Sequence, residues 1–164
     1  MISANDKMVD AISSIEFDIV KLPKKLNRII AKGFVIKFEC VFLRALYAMG
    51  RVGREDFPDG TGYECFVNHI HMDDYVDSDF LLYSLNFVDT LLSVWRDFDK
   101  ENIIRAIISC DDYGAVVRFH LLRDNEAWLS DDLEGFIQPV LYIDSCHSVE
   151  ELISFCRRRA GDSN

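Results

Sequence analysis

Two histidines and two aspartates stand within six residues in His69-Ile70-His71-Met72-Asp73-Asp74. Side chains two apart on a strand point to the same side. His69 and His71 could therefore share a metal ion, with Asp73 completing a hydrolytic centre. A catalytic zinc site needs at least three well-placed protein ligands, and the only other histidines are His120 and His147. The competing reading is a pair of exposed or hydrogen-bonded strand histidines. No nucleophile motif accompanies them: G-x-S-x-G, H-E-x-x-H, a P-loop and G-x-G-x-x-G are all absent. The acid pairs Asp73-Asp74, Asp111-Asp112 and Asp131-Asp132 are sequence neighbours on turn-like stretches, where carboxylates face water rather than each other. Neither an enzymatic activity nor a cofactor is expected.

Other chemistry is better represented. Acidic stretches carry aromatic residues in three places. These are Asp73-Asp74-Tyr75 with Asp77, then Asp111-Asp112-Tyr113, and then Asp124, Glu126, Trp128, Asp131, Asp132 and Glu134. Carboxylates offer bidentate acceptors to arginine. Tyrosine and tryptophan supply contact area at low entropic cost. These thirteen residues are the candidate face for a basic protein partner. The alternative for Trp128 is that it anchors the core beneath a solvated rim.

Charge supports the same reading. The net charge is −10 in 164 residues, and it is unevenly spread. Met1–Arg54 holds ten Lys/Arg against five Asp/Glu, whereas Glu55–Cys156 holds five against twenty-two. An acidic field of this kind opposes direct nucleic-acid binding, which needs a cation at each phosphate contact, and it speeds capture of a basic partner. A solubility role for the same charges is the plainer alternative. Arg157-Arg158-Arg159 could bind phosphate, but in the last turn of a helix they also complement its negative end.

The chain length fits one domain, residues 1–164, able to bury roughly 70% of its unfolded surface. The apolar run Phe34–Met49 is broken by Lys37, Glu39 and Arg44, so no membrane span is expected. Asp6, Asp10, Ser13 and Ser14 interrupt any secretory leader, and five widely spaced cysteines without a C-x-x-C pair suit a reducing compartment. A cytoplasmic protein with unpaired, mostly buried thiols is expected.

The elements that must position these groups follow from periodicity. Ser3 or Asn5 can cap a helix through Met8, Ile12, Ile15 and Ile19, and Pro23 opens a second helix to Gly33. Val35–Met49 reads as a buried helix or, alternatively, a strand followed by a helix. Arg51–Gly62 reads as a glycine-rich loop and Glu64–Met72 as a strand. The acidic run Asp73–Asp79 leads into a helix with the stripe Leu81, Leu85, Val88, Leu92 and Trp95. From Ile104 the period becomes two, giving a hairpin of Ile104–Cys110 and Ala115–Leu121 around Asp111–Gly114. A short strand near Trp128, a brief helix from Ser130 or Asp131 to Phe136 and a strand over Pro139–Asp144 follow. A helix boxed by Ser148 and Glu151 closes the chain. The expected class is α+β, with a helical N-terminal third and a mainly antiparallel sheet with packed helices in the remainder.

The small acidic chain also resembles bacterial immunity proteins of contact-dependent growth inhibition and related polymorphic toxin systems. The similarity rests on Val116-Val117-Arg118-Phe119-His120-Leu121, Trp128-Leu129-Ser130-Asp131-Asp132-Leu133-Glu134 and Pro139-Val140-Leu141-Tyr142-Ile143-Asp144, and covers roughly the last sixty residues. The resemblance implies a cytoplasmic antidote that binds one cognate toxin domain, often a nuclease, and blocks its active site or substrate surface. The basic N-terminal third departs from a uniformly acidic antidote. A second similarity, of His69-x-His71-x-Asp73-Asp74 to the H-x-H-x-D-H motif of metallo-β-lactamase-fold hydrolases, lacks the final histidine. A regulatory adaptor without a toxin partner is the remaining alternative.

Overall fold

The computed structural model describes residues 1–162. Its centre is the hairpin of β5 (Ile104–Cys110) and β6 (Ala115–Leu121), paired along all seven residues of each strand. Alternation does the work here. Ile104, Ala106 and Ile108 share one face with Val117 and Phe119, all buried, so only this register keeps the apolar set on one side. Asp111 shapes the turn, its Oδ1 accepting from Tyr113 N at 2.8 Å and Gly114 N at 3.0 Å.

Strand β7 (Val140–Asp144) pairs with β5, and β1 (Ile2–Ala4) pairs with β7. On the other side β4 (His69–His71) pairs with β6, giving the order β1-β7-β5-β6-β4, antiparallel throughout. A separate two-stranded hairpin is formed by β2 (Phe34–Lys37) and β3 (Cys40–Leu43).

Helices α1 (Asp6–Ser14), α5 (Phe80–Phe98) and α6 (Val149–Asp162) cover one face of the main sheet. Met8, Ile12, Leu85, Val88, Leu92, Trp95, Leu152 and Cys156 join Ile104, Ala106, Val117 and Phe119 in one core. Asn5 caps α1, its Oδ1 accepting from Met8 N and also from Val140 N, which ties the helix to β7. Ser148 and Glu151 form the expected reciprocal box at α6. The opposite face is covered by α4 (Gly60–Val67) and by the irregular connection from Leu122 to Pro139. There Cys65, Ile107, Leu133, Val140 and Tyr142 make a smaller core.

The α+β class and the antiparallel sheet agree with the sequence reading, but the helical N-terminal third does not. That region holds strands β1, β2 and β3 beside α1, α2 (Lys24–Ala31) and the four-residue α3 (Arg44–Tyr47). The first helix ends at Ser14, leaving Ile19 beyond it and 89% exposed. Val35–Met49 is mostly a hairpin: an almost continuous apolar run has no period to separate helix from strand, and only Cys40–Leu43 within it is buried throughout. Its turn places Phe38 and Glu39 at φ +54° and +58°, a left-handed conformation that costs about 1–2 kcal/mol per non-glycine residue. The guanidinium of Arg123 holds this turn by donating to the Glu39 carbonyl at 2.8 Å.

Glu64–Met72, expected as a strand, begins inside α4. Asp59 caps that helix by accepting from Gly62 N at 2.6 Å, and only His69–His71 is extended. Part of the expected loop before it is a 3-10 turn at Arg54–Asp56. No helix spans Ser130–Phe136: Ser130 Oγ donates to the Asp132 carbonyl, a local turn that replaces a helix cap. Around Trp128 there is no strand, only the bridge between Arg123 and Glu126. Asp73–Asp79 precedes α5 without entering its first turn, and Asp79, at φ +55°, makes no side-chain cap.

Candidate functional site

The turn of the β5–β6 hairpin projects between two concavities. One, of about 200 Å³, is lined by His71, Asp73, Asp111, Tyr113, Gly114 and Gln138. The other, of about 510 Å³, is bordered by Glu16, Asp79, Phe80, Leu81, Asp111 and Asp112. Carboxylates from three distant segments therefore meet at one end of the sheet. The 3-10 turn Met72–Asp74 is pressed against the hairpin so closely that a Cβ on Gly114 would come within 2.5 Å of Asp73 Oδ1. A larger residue there would have to push the Asp73 side chain aside.

Asp73, Asp74, Asp77, Asp79, Asp111 and Asp112 are exposed, and Tyr113 at the hairpin tip is 86% exposed. Among the described residues none of these aspartates forms an ion pair. Tyr75 differs: it is half-buried against the main core, and burial together with the charge of Asp74 pushes its hydroxyl up.

The remaining candidates do not join this end as a set. Glu126 accepts from Thr61 N at 2.8 Å and faces Arg123, and despite its partial desolvation these contacts hold it below the usual carboxylate range. Glu134 takes Asp6 N and Arg159, securing the start of α1. Asp132 accepts from Glu134 N. Asp124 and Asp131 are exposed on the connection, and Trp128 is 42% exposed with the Arg118 guanidinium 5.8 Å from its ring centre. Glu126, Asp132 and Glu134 thus act inside the fold.

His69 and His71 do lie side by side, with ring centres 5.3 Å apart. His69 Nδ1 meets the Phe66 carbonyl, and Asp73 is turned towards Gly114. Among the described residues no group of three or more His, Cys, Asp or Glu side chains is arranged to hold a metal ion. The proposed ligand set is therefore not assembled.

Alternation already carried a signal for the polar groups on the second face of the sheet. Arg105 pairs with Asp144 through Nε at 2.6 Å. Against the penalty of burial, Arg105 and the Met1 ammonium hold the Asp144 carboxyl below its ordinary range. His120 is 2% exposed, its Nδ1 meeting the Leu121 carbonyl at 2.7 Å, and burial pushes the imidazole below its ordinary value. A base with a depressed folded pKa gives stability that is complete above the unfolded value of about 6.5 and is lost as pH falls towards the folded one. Replacing His120 with glutamine removes that loss. Urea midpoints measured between pH 7 and pH 5 should fall less steeply for H120Q than for the parent. Parallel slopes would mean that His120 is not held neutral.

The chain is an α+β protein with an acidic end around the central hairpin. A model of the family described as "Uncharacterized protein PM0498 family" matches residues 3–156, and the chain belongs to that family. Among its relatives, Uncharacterized protein PM0498 of Pasteurella multocida (strain Pm70) is 32% identical over 75 residues, 43% of this chain and 48% of that protein. The aligned part thus spans about half the length of that relative. No solved structure matches the chain. No helix is long and apolar enough to cross a membrane among the described residues.

Proposed function

We propose that this protein is a non-catalytic binding module that captures and neutralises a cognate basic protein, as an immunity protein does for a nuclease-type toxin domain. The observation that supports this reading is the set of exposed aspartates without ion pairs gathered around Tyr113 at the hairpin end. Unpaired carboxylates create a field that accelerates encounter with a cation-rich surface. An exposed tyrosine among them supplies contact area once the surfaces meet. The adaptor and metal-hydrolase readings gain nothing comparable from the geometry.

The test takes as partner a basic protein that co-purifies with this chain from its own cells. Changing Asp111 and Asp112 together to lysine should lower the association rate at least about tenfold at low salt and flatten its salt dependence. The same variant should protect cells less well against that partner. Asp111 also shapes its turn, so Asp112→Lys alone supplies the arm that leaves the hairpin intact. If both variants associate and protect like the parent at every salt concentration, the acidic end is not the binding face.

A further inference from the structure

The second face of the sheet holds a cleft of about 590 Å³ between β5, β6 and the irregular connection. Its floor is Ile107, Ser109 and Arg118, and its walls include Trp128, Phe136, Ile137 and Gln138. Arg118 is unlike the other half-buried arginines. Arg105 is paired with Asp144, Arg123 with Glu64, and Arg159 with Asp6 and Glu134. Among the described residues, the Arg118 side chain makes neither a hydrogen bond nor an ion pair; the Trp128 ring lies 5.8 Å from its guanidinium, and the Cys65 thiol also bears on its charge. Burial disfavours its charge, and no carboxylate offsets that cost. A chain with twenty-eight Asp/Glu has acceptors in abundance, yet none is directed here.

The apolar components are just as unsatisfied. Ile137 is 87% exposed and Trp128 42%, on opposite sides of a concavity rather than scattered over a convex surface. A planar guanidinium with free donors selects a carboxylate bidentately. An apolar cleft of about 300–1,000 Å³ with few polar groups suits a small organic molecule.

We infer that this cleft binds a small organic acid, with its carboxylate on Arg118 and its aromatic or branched apolar body between Trp128 and Ile137. Ser109 and Gln138 also line the cleft and are the polar side chains beside Arg118 in its lining. The cleft shares Ser109 and Gln138 with the concavity at the hairpin end, but Arg118, Trp128 and Ile137 line the cleft alone, so the site does not depend on the acidic end binding a basic protein.

The test titrates the purified protein with 4-phenylbutyrate, following tryptophan emission and heat of binding. Trp95 is fully buried, so a spectral change reports on Trp128. Saturable binding of 4-phenylbutyrate is expected, with 4-phenylbutanol at least tenfold weaker. Arg118→Met should weaken binding by about ten- to a hundredfold, the range for a lost charge-assisted hydrogen bond. Ile137→Asp changes an exposed rim residue outside the core and places a carboxylate on the wall of the cleft, where it repels an acid ligand. It should also abolish binding, which keeps the test decisive if the Arg118 variant does not fold. Equal binding of acid and alcohol, or unchanged affinity in I137D, overturns the inference. So does binding of a phenylalanine-terminated peptide carboxylate without binding of the free acid, because the cleft would then serve a protein partner.

Discussion

Replacing Glu64 with leucine should lower the stability of the fold by about 3–5 kcal/mol, the cost of stranding one member of a buried ion pair. The Glu64 side chain is fully buried in α4, at the junction of three elements. Its Oε1 accepts from Val41 N of β3 at 2.6 Å, and its Oε2 accepts from Leu121 N of β6 at 3.0 Å. Arg123 adds contacts at 2.7 and 3.1 Å. Burial pushes the Glu64 carboxyl above its usual range, and Arg123 with the two amides pulls it back. Leucine is similar in volume, so the loss arises from polarity and not from a cavity. Among the described residues it leaves the Arg123 guanidinium with only the longer ion pair to Glu126 at 3.8 Å, and two backbone amides without an acceptor. The double change Glu64→Leu with Arg123→Met should recover part of the loss, since an apolar pair can replace a buried ionic one at little cost. Urea denaturation reads both results. A loss below about 1 kcal/mol for the single variant would show that water reaches the site and replaces the carboxylate.

A loss of similar size, about 3–5 kcal/mol, is expected for Trp95→Ala. Trp95 has no exposed surface, meets Phe34 edge-on at 5.1 Å and contacts Phe98 at 5.6 Å. Its indole N–H also donates to the Asn102 carbonyl at 3.0 Å, closing the turn after α5. Alanine creates a large void between α5 and the β2–β3 hairpin, which the surrounding core fills only partly. Trp95→Phe keeps most of the ring packing and gives up the hydrogen bond, so it should cost less than half as much. The denaturation midpoint should fall with an unchanged slope. Equal losses for the two variants would mean that the hydrogen bond, and not the ring, carries the energy.

Where burial was one-sided, the sequence displayed the fold. The alternation of Ile104, Ala106 and Ile108 against Val117 and Phe119 marked the central hairpin, and Leu85, Val88, Leu92 and Trp95 marked α5. Where burial was two-sided, the pattern was silent. Cys40–Leu43 is buried at all four residues, and its strand character is set by pairing with Phe34–Lys37 and by the acceptors of Glu64 and Asn68. Those two side chains lie in a segment that reads as a strand, but Glu64 sits inside α4 and Asn68 is its C-cap. Glu64 resembles any surface glutamate until α4 turns it inward. Two of the three acidic stretches meet at the hairpin end, and the approach of Asp73 to Gly114 depends on β4 pairing with β6, a contact between distant parts of the chain. Glu126 and Glu134 read from the sequence as part of the partner-binding face, and the structure also gives each a backbone amide to accept from, at Thr61 and at the start of α1. Arg118 stood in an alternating strand on the polar side, and its isolation became visible only once the partners of the other arginines were known.

The strands of the main sheet grow shorter towards its rims. The two inner strands β5 and β6 have seven residues each, β7 has five, and the outer strands β1 and β4 have three. An outer strand is where a sheet can recruit another chain through unpaired amides and carbonyls. Three residues offer too few such groups to template a stable intermolecular ladder. β4 is also followed at once by a 3-10 turn carrying two aspartates, which resists the approach of a like-charged copy. The long, apolar, aggregation-prone strands are thereby kept inside the sheet, and an exposed rim is left that cannot propagate it.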